Sequence, residues 1–275
     1  MAEAWPIDAH SPDELPAPLA ARLTEHLEQG ERIRKLIWVP AERGPLSAGA
    51  RKSGLWRLTR GDQVLAATDR RWIVGAEGVP EETGRWLAIP YADVVAWALT
   101  ESLLYGRVDV CGQPSGCLVT ASLEFNTVGR WMIEEALLPL QAAALGIDAR
   151  PASSGPSDRP DPPGLPMKFV SFLRHELLAG EWPLGVVFEQ RRVIRFLGFW
   201  RRLARPAQLI ATTDLRLLVI REEPGVEEAR YGYTAASLPR RRLGDLVVVD
   251  TGPSLAVRHG ADVAVLGPPL ANGPA

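Results

Sequence analysis

One twelve-residue stretch of this chain recurs as a near copy, and that repetition constrains the fold more than any other feature. Gln63–Val74 reads Q-V-L-A-A-T-D-R-R-W-I-V, and Gln208–Val219, 145 residues later, reads Q-L-I-A-T-T-D-L-R-L-L-V. Each copy is an apolar run, a Thr-Asp pair, an x-Arg pair and a second apolar run. Two β-rich runs split by Asp and charged residues predict a hairpin, with Asp69 or Asp214 bonding the backbone two residues on to tighten the turn. The structural hairpin positions are Thr68, Asp69, Arg71, Thr213, Asp214 and Arg216.

The likeness extends in both directions. Upstream, G-L-W-R-L-T-R (Gly54–Arg60) matches G-F-W-R-R-L-A-R (Gly198–Arg205) with one inserted Arg. Downstream, Gly78-Val79-Pro80-Glu81-Glu82 matches Gly225-Val226-Glu227-Glu228, and Ile89-Pro90 before Asp93 matches Leu238-Pro239 before Asp245. Solenoid repeats recur at about 20–50 residues, so a spacing near 145 implies two whole domains instead. At 275 residues and 46% apolar content, the chain can bury a core in each.

The first unit is expected over 15–146, after a loose lead-in at 1–14. Leu19, Leu23 and Leu27 recur every four residues between Leu15 and Glu28, Pro16 and Pro18 suit a first turn, and Gly30 ends this helix. Strands follow at Glu31–Val39, Leu55–Leu58, the hairpin, Trp86–Ile89, Val94–Thr100, Leu103–Cys111 and Cys117–Phe125. The period then changes. Val128, Trp131, Met132, Ala136 and Leu138 keep helical spacing, with Asn126 or Thr127 as cap and Pro139 expected to kink or end the regular part. Trp131 and Met132 read as a stripe packed against the sheet.

Proline-dense residues 147–165 form a linker, since prolines at this density hold the backbone extended. The second unit, 166–268, opens like the first: Phe169, Phe172, Leu173 and Leu177 at helical spacing, then Gly180-Glu181 where the first has Gly30-Glu31. Strands are expected at about 184–189, 199–204, 208–213, 216–221, 231–237, 245–250, 254–257 and 262–266, ahead of a tail at 269–275. A closing helix is not expected in this unit.

The helix ending in Gly-Glu, the T-D-x-R turn and the Ile89-Pro90 to Val94 segment, with their second copies, resemble the bacterial pleckstrin-homology-like domains. That resemblance implies a mainly β chain with flanking helices, arranged as two tandem, partly open seven-stranded barrels. The first would carry a C-terminal capping helix and the second would not. Without a plug, the second barrel would need cover from its lead-in helix, from the first unit or from a second copy of the chain. The resemblance also implies binding of peptides, protein partners or membrane headgroups rather than catalysis.

Little in the sequence points to chemistry. The histidines, His10, His26, His175 and His259, pair with no ligand or carboxylate at a recognisable spacing. Cys111 and Cys117 flank a predicted loop, and two thiols are too few for a tetrahedral zinc site. Glu81, Glu82, Glu227 and Glu228 read as solvated turns. No cofactor, metal or catalytic residue is therefore assigned. A net charge of −2 argues against a nucleic-acid partner. No apolar run reaches the roughly 20 residues of a spanning helix, and Met1–His10 lacks a basic start and an apolar region. The expectation is a cytoplasmic scaffold that binds another protein, with a homodimer or docking between the units covering the second.

The alternative is an adaptor at an anionic ligand or the inner membrane surface, and an enzyme with an unrecognised site comes third. The adaptor reading rests on Arg191, Arg192, Arg195, Phe199, Trp200, Arg201, Arg202 and Arg205. As a helix, 191–205 would place Arg191, Arg195, Arg202 and Arg205 on one face and Val193, Phe196, Trp200 and Leu203 on the other. Alignment with Gly54–Arg57 favours a strand preceded by a basic loop. In either geometry the plainer reading is a solvated or ion-paired face, with Glu222, Glu223, Glu227 and Glu228 as candidate partners.

Overall fold

The computed structural model describes residues 5–41, 61–77, 86–147, 161–196, 200–222, 232–244, 247–250, 255–259 and 261–266. Among these residues the protein is mainly β, with antiparallel sheets of five, seven, two and three strands, none closed into a barrel, and three α-helices. The first half contains β1 (Ile7–Ala9), α1 (Ala17–His26), β2 (Ile33–Val39), β3 (Asp62–Thr68), β4 (Arg71–Glu77), β5 (Trp86–Pro90), β6 (Val94–Ser102), β7 (Tyr105–Gly112), β8 (Val119–Asn126) and α2 (Arg130–Leu145). The second contains α3 (Met167–Glu176), β9 (Pro183–Glu189), β10 (Arg192–Phe196), β11 (Trp200–Arg205), β12 (Gln208–Thr213), β13 (Arg216–Glu222), β14 (Tyr233–Pro239), β15 (Val247–Asp250), β16 (Leu255–His259) and β17 (Asp262–Leu266).

The sequence repeat is also a repeat of register. In β2–β3, Leu36 faces Ala66, Ile37 faces Leu65 and Trp38 faces Val64; in β9–β12, Val186 faces Ala211, Val187 faces Ile210 and Phe188 faces Leu209. Both pairs carry a bulge at the same place, after Ile33 and after Pro183. The lead-in helices behave alike. Leu19 and Leu23 of α1 pack on Leu36, Val64, Ala66 and Ile73, while Phe169 and Leu173 of α3 pack on Leu209, Ala211, Leu218 and Ile220. Each connection to the following strand turns at a glycine with positive φ, +77° at Gly30 and +80° at Gly180, a conformation that disfavours a Cβ.

The halves share one sheet. Its strand order, β8-β7-β6-β14-β13-β12-β9, runs from the first half into the second across the β6–β14 pair, where Ala98 faces Ala236 and Leu99 faces Ala235. On one face, Trp97, Leu99, Val108 and Val110 join a core closed by Ile133, Ala136, Leu137, Leu140 and Ala144 of α2. On the other, Val95, Ala96, Ala98 and Cys111 of the first half pack with Val219, Ala236, Leu238, Val257, Ala264 and Leu266 of the second. Small side chains at Ala96, Ala98 and Ala236 let this second layer approach closely.

Several expectations change. The lead-in is not loose throughout, because Ile7–Ala9 pairs with β2 (Ile7 opposite Trp38) and a 3-10 turn follows at Pro12–Glu14. Helix α2 runs through Pro139 to Leu145, since the buried face that includes Leu140 and Ala144 outweighs one missing N–H. Met132 packs on the core, but Trp131 is 49% exposed, with Lys35 Nζ 4.8 Å above its ring, a surface cation–π contact rather than core packing. Residues 192–196 and 200–205 are not helical but form the paired strands β10 and β11, and β10 is a strand beyond those expected. The strand at Leu55–Leu58, most of the linker (148–160), Glu81, Glu82, Glu223, Glu227, Glu228 and Phe199 lie outside the described residues.

Candidate functional site

The turn that organises each half is built differently from the expected Asx turn. Thr68 Oγ1 accepts from Arg70 N at 3.1 Å and Arg71 N at 2.9 Å, and Thr213 Oγ1 accepts from Leu215 N at 3.1 Å and Arg216 N at 2.9 Å. The threonine therefore closes the turn. Asp69 and Asp214 reach across to the residue after the Gly-Glu pair, accepting from Arg32 N at 3.1 Å and Trp182 N at 3.4 Å. The glutamate of that pair is the centre of the device.

Glu31 accepts from Thr68 Oγ1 at 2.6 Å, Glu28 N at 2.8 Å and Arg71 through Nε at 2.9 Å and Nη2 at 2.7 Å, while Arg71 Nη2 also donates to His26 O. Glu181 repeats this with Thr213 Oγ1 at 2.8 Å, Leu178 N at 2.8 Å and Arg216 at 2.9 and 2.8 Å, and Arg216 Nη2 donates to Glu176 O. Each latch ties a lead-in helix to its hairpin. Burial pushes the Glu31 carboxyl up, but donation from Arg71, Glu28 N and Thr68 outweighs it, and the group ends below its ordinary range. Thr68, Asp69, Arg71, Thr213, Asp214 and Arg216 are thus structural. The roles of Glu31 and Glu181 were missed because Gly-Glu reads locally as a helix stop.

A second ionic cluster joins the halves where α2 meets α3. Arg130 donates to Glu101, to Glu134 at 2.6 Å, to Glu176 at 3.2 Å and to Tyr233 Oη at 3.1 Å, and Tyr233 Oη donates to Glu176 at 2.8 Å. Burial raises the Glu101 carboxyl to about 7 against the opposing pull of Arg130, with Glu176 and Glu134 adding to the rise. A carboxyl raised in the folded state is held protonated there. Its stabilising contribution is complete below the unfolded value near pH 4.5 and is lost as pH rises through about 7. Glu101→Gln is accordingly expected to remove this loss, gaining roughly 1–3 kcal/mol over wild type at pH 8 and little at pH 5. Urea unfolding of both proteins across that range measures it, and equal slopes with pH contradict it.

The candidate binding surface lies at the far edge of the seven-stranded sheet. Strand β2 is covered twice, on its edge by β1 and on its inner face by α2, so Ile37 is 0% exposed. Strand β9, its counterpart, pairs among the described residues only with β12. Val187, at the position of Ile37, is 59% exposed, and Leu184, at the bulge, is 65% exposed. A run of apolar residues with unpaired backbone groups is a template for another strand. Pro183 and Glu189 guard only its ends.

The basic segment adjoins this edge in sequence. Arg192 stands opposite Arg205, Arg195 opposite Arg201 and Ile194 opposite Arg202, so two cross-strand positions set arginine against arginine, an unfavourable arrangement without an anion nearby. Arg191 and Arg192 are exposed. Arg205 pairs with Glu189 at 2.8 Å rather than with the expected Glu222, which takes Lys168. Side chains of Arg195, Trp200, Arg201 and Arg202 lie outside the described set, as does Phe199.

The remaining polar residues do not converge. Cys111 sits in the core between the halves opposite Thr120, its thiol pushed up to about 12 by burial, whereas Cys117 lies exposed in the loop before β8, so the two are not cross-strand neighbours. His175 lies 3.6 Å from Glu134, and His259 Nδ1 is 2.8 Å from Gln113. Among the described residues, no three of His, Cys, Asp and Glu gather as metal ligands, and no helix is long and apolar enough to cross a membrane. The chain matches no protein-family model, and no curated protein is significantly similar to it.

Proposed function

We propose that this protein is a non-catalytic binding protein whose second half takes an extended segment of a protein partner along the outer edge of β9. The supporting observation is the contrast within the repeat: the same strand, in the same register on its neighbour, is covered by β1 in one half and, among the described residues, has no second strand beside it in the other. Strand addition supplies main-chain hydrogen bonds for affinity and side-chain pockets for specificity. The guest segment lies antiparallel, as β1 does on β2, places an apolar side chain over Val187, and carries acidic residues toward Arg191 and Arg192. Covering Val187 and Leu184 contributes on the order of 1 kcal/mol each. In this reading each half is a pleckstrin-homology-like unit, repeated in tandem in a cytoplasmic scaffold.

Val187→Asp with Leu184→Lys tests it. Both positions are exposed, so the fold is expected to change by less than about 0.5 kcal/mol, while a protein captured by the wild type is lost. With that protein purified, hydrogen exchange should show new protection at 184–188 on binding. Protection confined to other surfaces, or capture unaffected by the double substitution, contradicts the proposal. A second reading, attachment to an anionic membrane, is favoured by the arginine-on-arginine register of β10–β11. It requires salt-dependent sedimentation with anionic vesicles, abolished by charge reversal at Arg191, Arg195 and Arg202.

A further inference from the structure

A cavity of about 330 Å³ opens where the two halves meet, lined by Ala92, Ala143, Arg241 and Arg242. Ala92 lies on the 3-10 turn Tyr91–Asp93 and Ala143 near the C-terminus of α2. The arginines lie on the 3-10 turn Arg240–Arg242, which follows β14 as the other follows β5. The two turns start alike, Tyr91 N donating to Arg70 O at 3.1 Å and Arg240 N to Leu215 O at 2.9 Å, yet one reads Tyr-Ala-Asp and the other Arg-Arg-Arg.

Three consecutive residues of a 3-10 turn project about 120° apart, so the turn divides its arginines. Arg241 and Arg242 line the cavity, and Arg240 does not. Each lining guanidinium is anchored through one nitrogen to a carbonyl of the first half: Arg241 Nη2 donates to Ala143 O at 2.9 Å, and Arg242 Nη2 donates to Ala92 O. That leaves most of the donors of two planar forks unused. Arg242 Nε is buried with no hydrogen-bond partner, and none of the three arginines has a carboxylate partner among the described residues. Adjacent fixed positive charges with a buried unpaired N–H are costly unless an acceptor with several oxygens meets them. The carbonyl end of α2 would ordinarily repel an anion, but Arg241 occupies the Ala143 carbonyl and offsets that field.

We propose that this cavity is a site for a phosphate-class oxyanion held between Arg241 and Arg242. Two guanidiniums against one anion suit a doubly charged phosphoryl group better than a lone carboxylate. The volume leaves room for the organic part of a phosphomonoester or a headgroup. Because the anchors come from one half and the arginines from the other, binding stabilises the junction by mass action.

Inorganic phosphate titrated into the full chain at constant ionic strength, with chloride as the control salt, provides the test. Calorimetric binding and a phosphate-specific rise in Tm are expected. Ala143→Glu, which adds a carboxylate at an exposed helical position on the lining, and Arg241→Gln are each expected to weaken phosphate about tenfold or more. Arg240→Gln leaves the affinity unchanged. Absence of a phosphate-specific effect in the wild type, or wild-type affinity in both Ala143→Glu and Arg241→Gln, overturns the proposal. Phosphatidylglycerol vesicles then identify the source: competition with phosphate assigns the site to a headgroup, and phosphate binding without vesicle binding assigns it to a soluble phosphate ester.

Discussion

Glu181→Ala is expected to destabilise the protein by about 3–5 kcal/mol in urea unfolding, a large fraction of a typical folding free energy. The glutamate is 0% exposed and Arg216 1% exposed, so truncation strands a guanidinium that water cannot reach. It also leaves Thr213 Oγ1 and Leu178 N without their acceptor. Arg216 further donates to Ser237 and lies 5.8 Å from the Trp97 ring of the first half, so the loss reaches the junction. The first-half equivalent separates charge from packing. Arg71 is 14% exposed and has Glu28 as a second partner, so Arg71→Ala is expected to cost roughly 1–3 kcal/mol, less than Arg216→Ala. A paired replacement, Glu181→Leu with Arg216→Met, should recover most of the loss, because burying neither charge removes the desolvation as well as the attraction. A double substitution no more stable than Glu181→Ala would show that geometry, not stranded charge, sets the cost.

The second half alone, residues 166–275, is expected not to fold cooperatively. In the whole protein Val219, Ala236, Leu238, Val257, Ala264 and Leu266 pack against Val95, Ala96, Ala98 and Cys111, and β14 pairs with β6. Removing the first half exposes that apolar face at about 25 cal/mol per Å² and leaves β14 with an open edge. The same removal deprives Tyr233 and Glu176 of Arg130. Denaturant titration and sedimentation of the fragment check this, and a monomeric fragment with a transition as sharp as that of the intact chain contradicts it.

The repeat was legible because hairpin chemistry is local: Thr-Asp-x-Arg flanked by apolar runs specifies a turn from adjacent residues, and β12–β13 lie within a residue of their expected bounds, while β4 runs three residues past the expected end of its hairpin at Val74, to Glu77. The shared sheet was not legible. Val94–Ser102 and Tyr233–Pro239 read as ordinary buried strands, and no feature of either names the other as neighbour, since pairing at that separation is decided by which edges remain after each half folds. Asp69 illustrates a smaller miss. Threonine and aspartate both suit a turn, and local sequence does not show that Arg32 N lies within reach of the carboxylate while the hydroxyl closes the turn. The edge of β9, which among the described residues pairs only with β12, has a signal in the sequence. The segment at the position of Ile7–Ala9 in the second copy is Ser157-Asp158-Arg159, set between prolines and poor in β formers, so no equivalent of β1 was to be expected there.

Native-state hydrogen exchange resolved on β6 and β14 probes most directly whether the two repeats form one folding unit. If they do, the slowest amides of both strands open with the same free energy, and Glu181→Ala, placed wholly in the second half, lowers that free energy equally in both. Protection of β6 that stays at its wild-type level while β14 loses its own would mean that the halves unfold independently and that the seven-stranded sheet does not couple them.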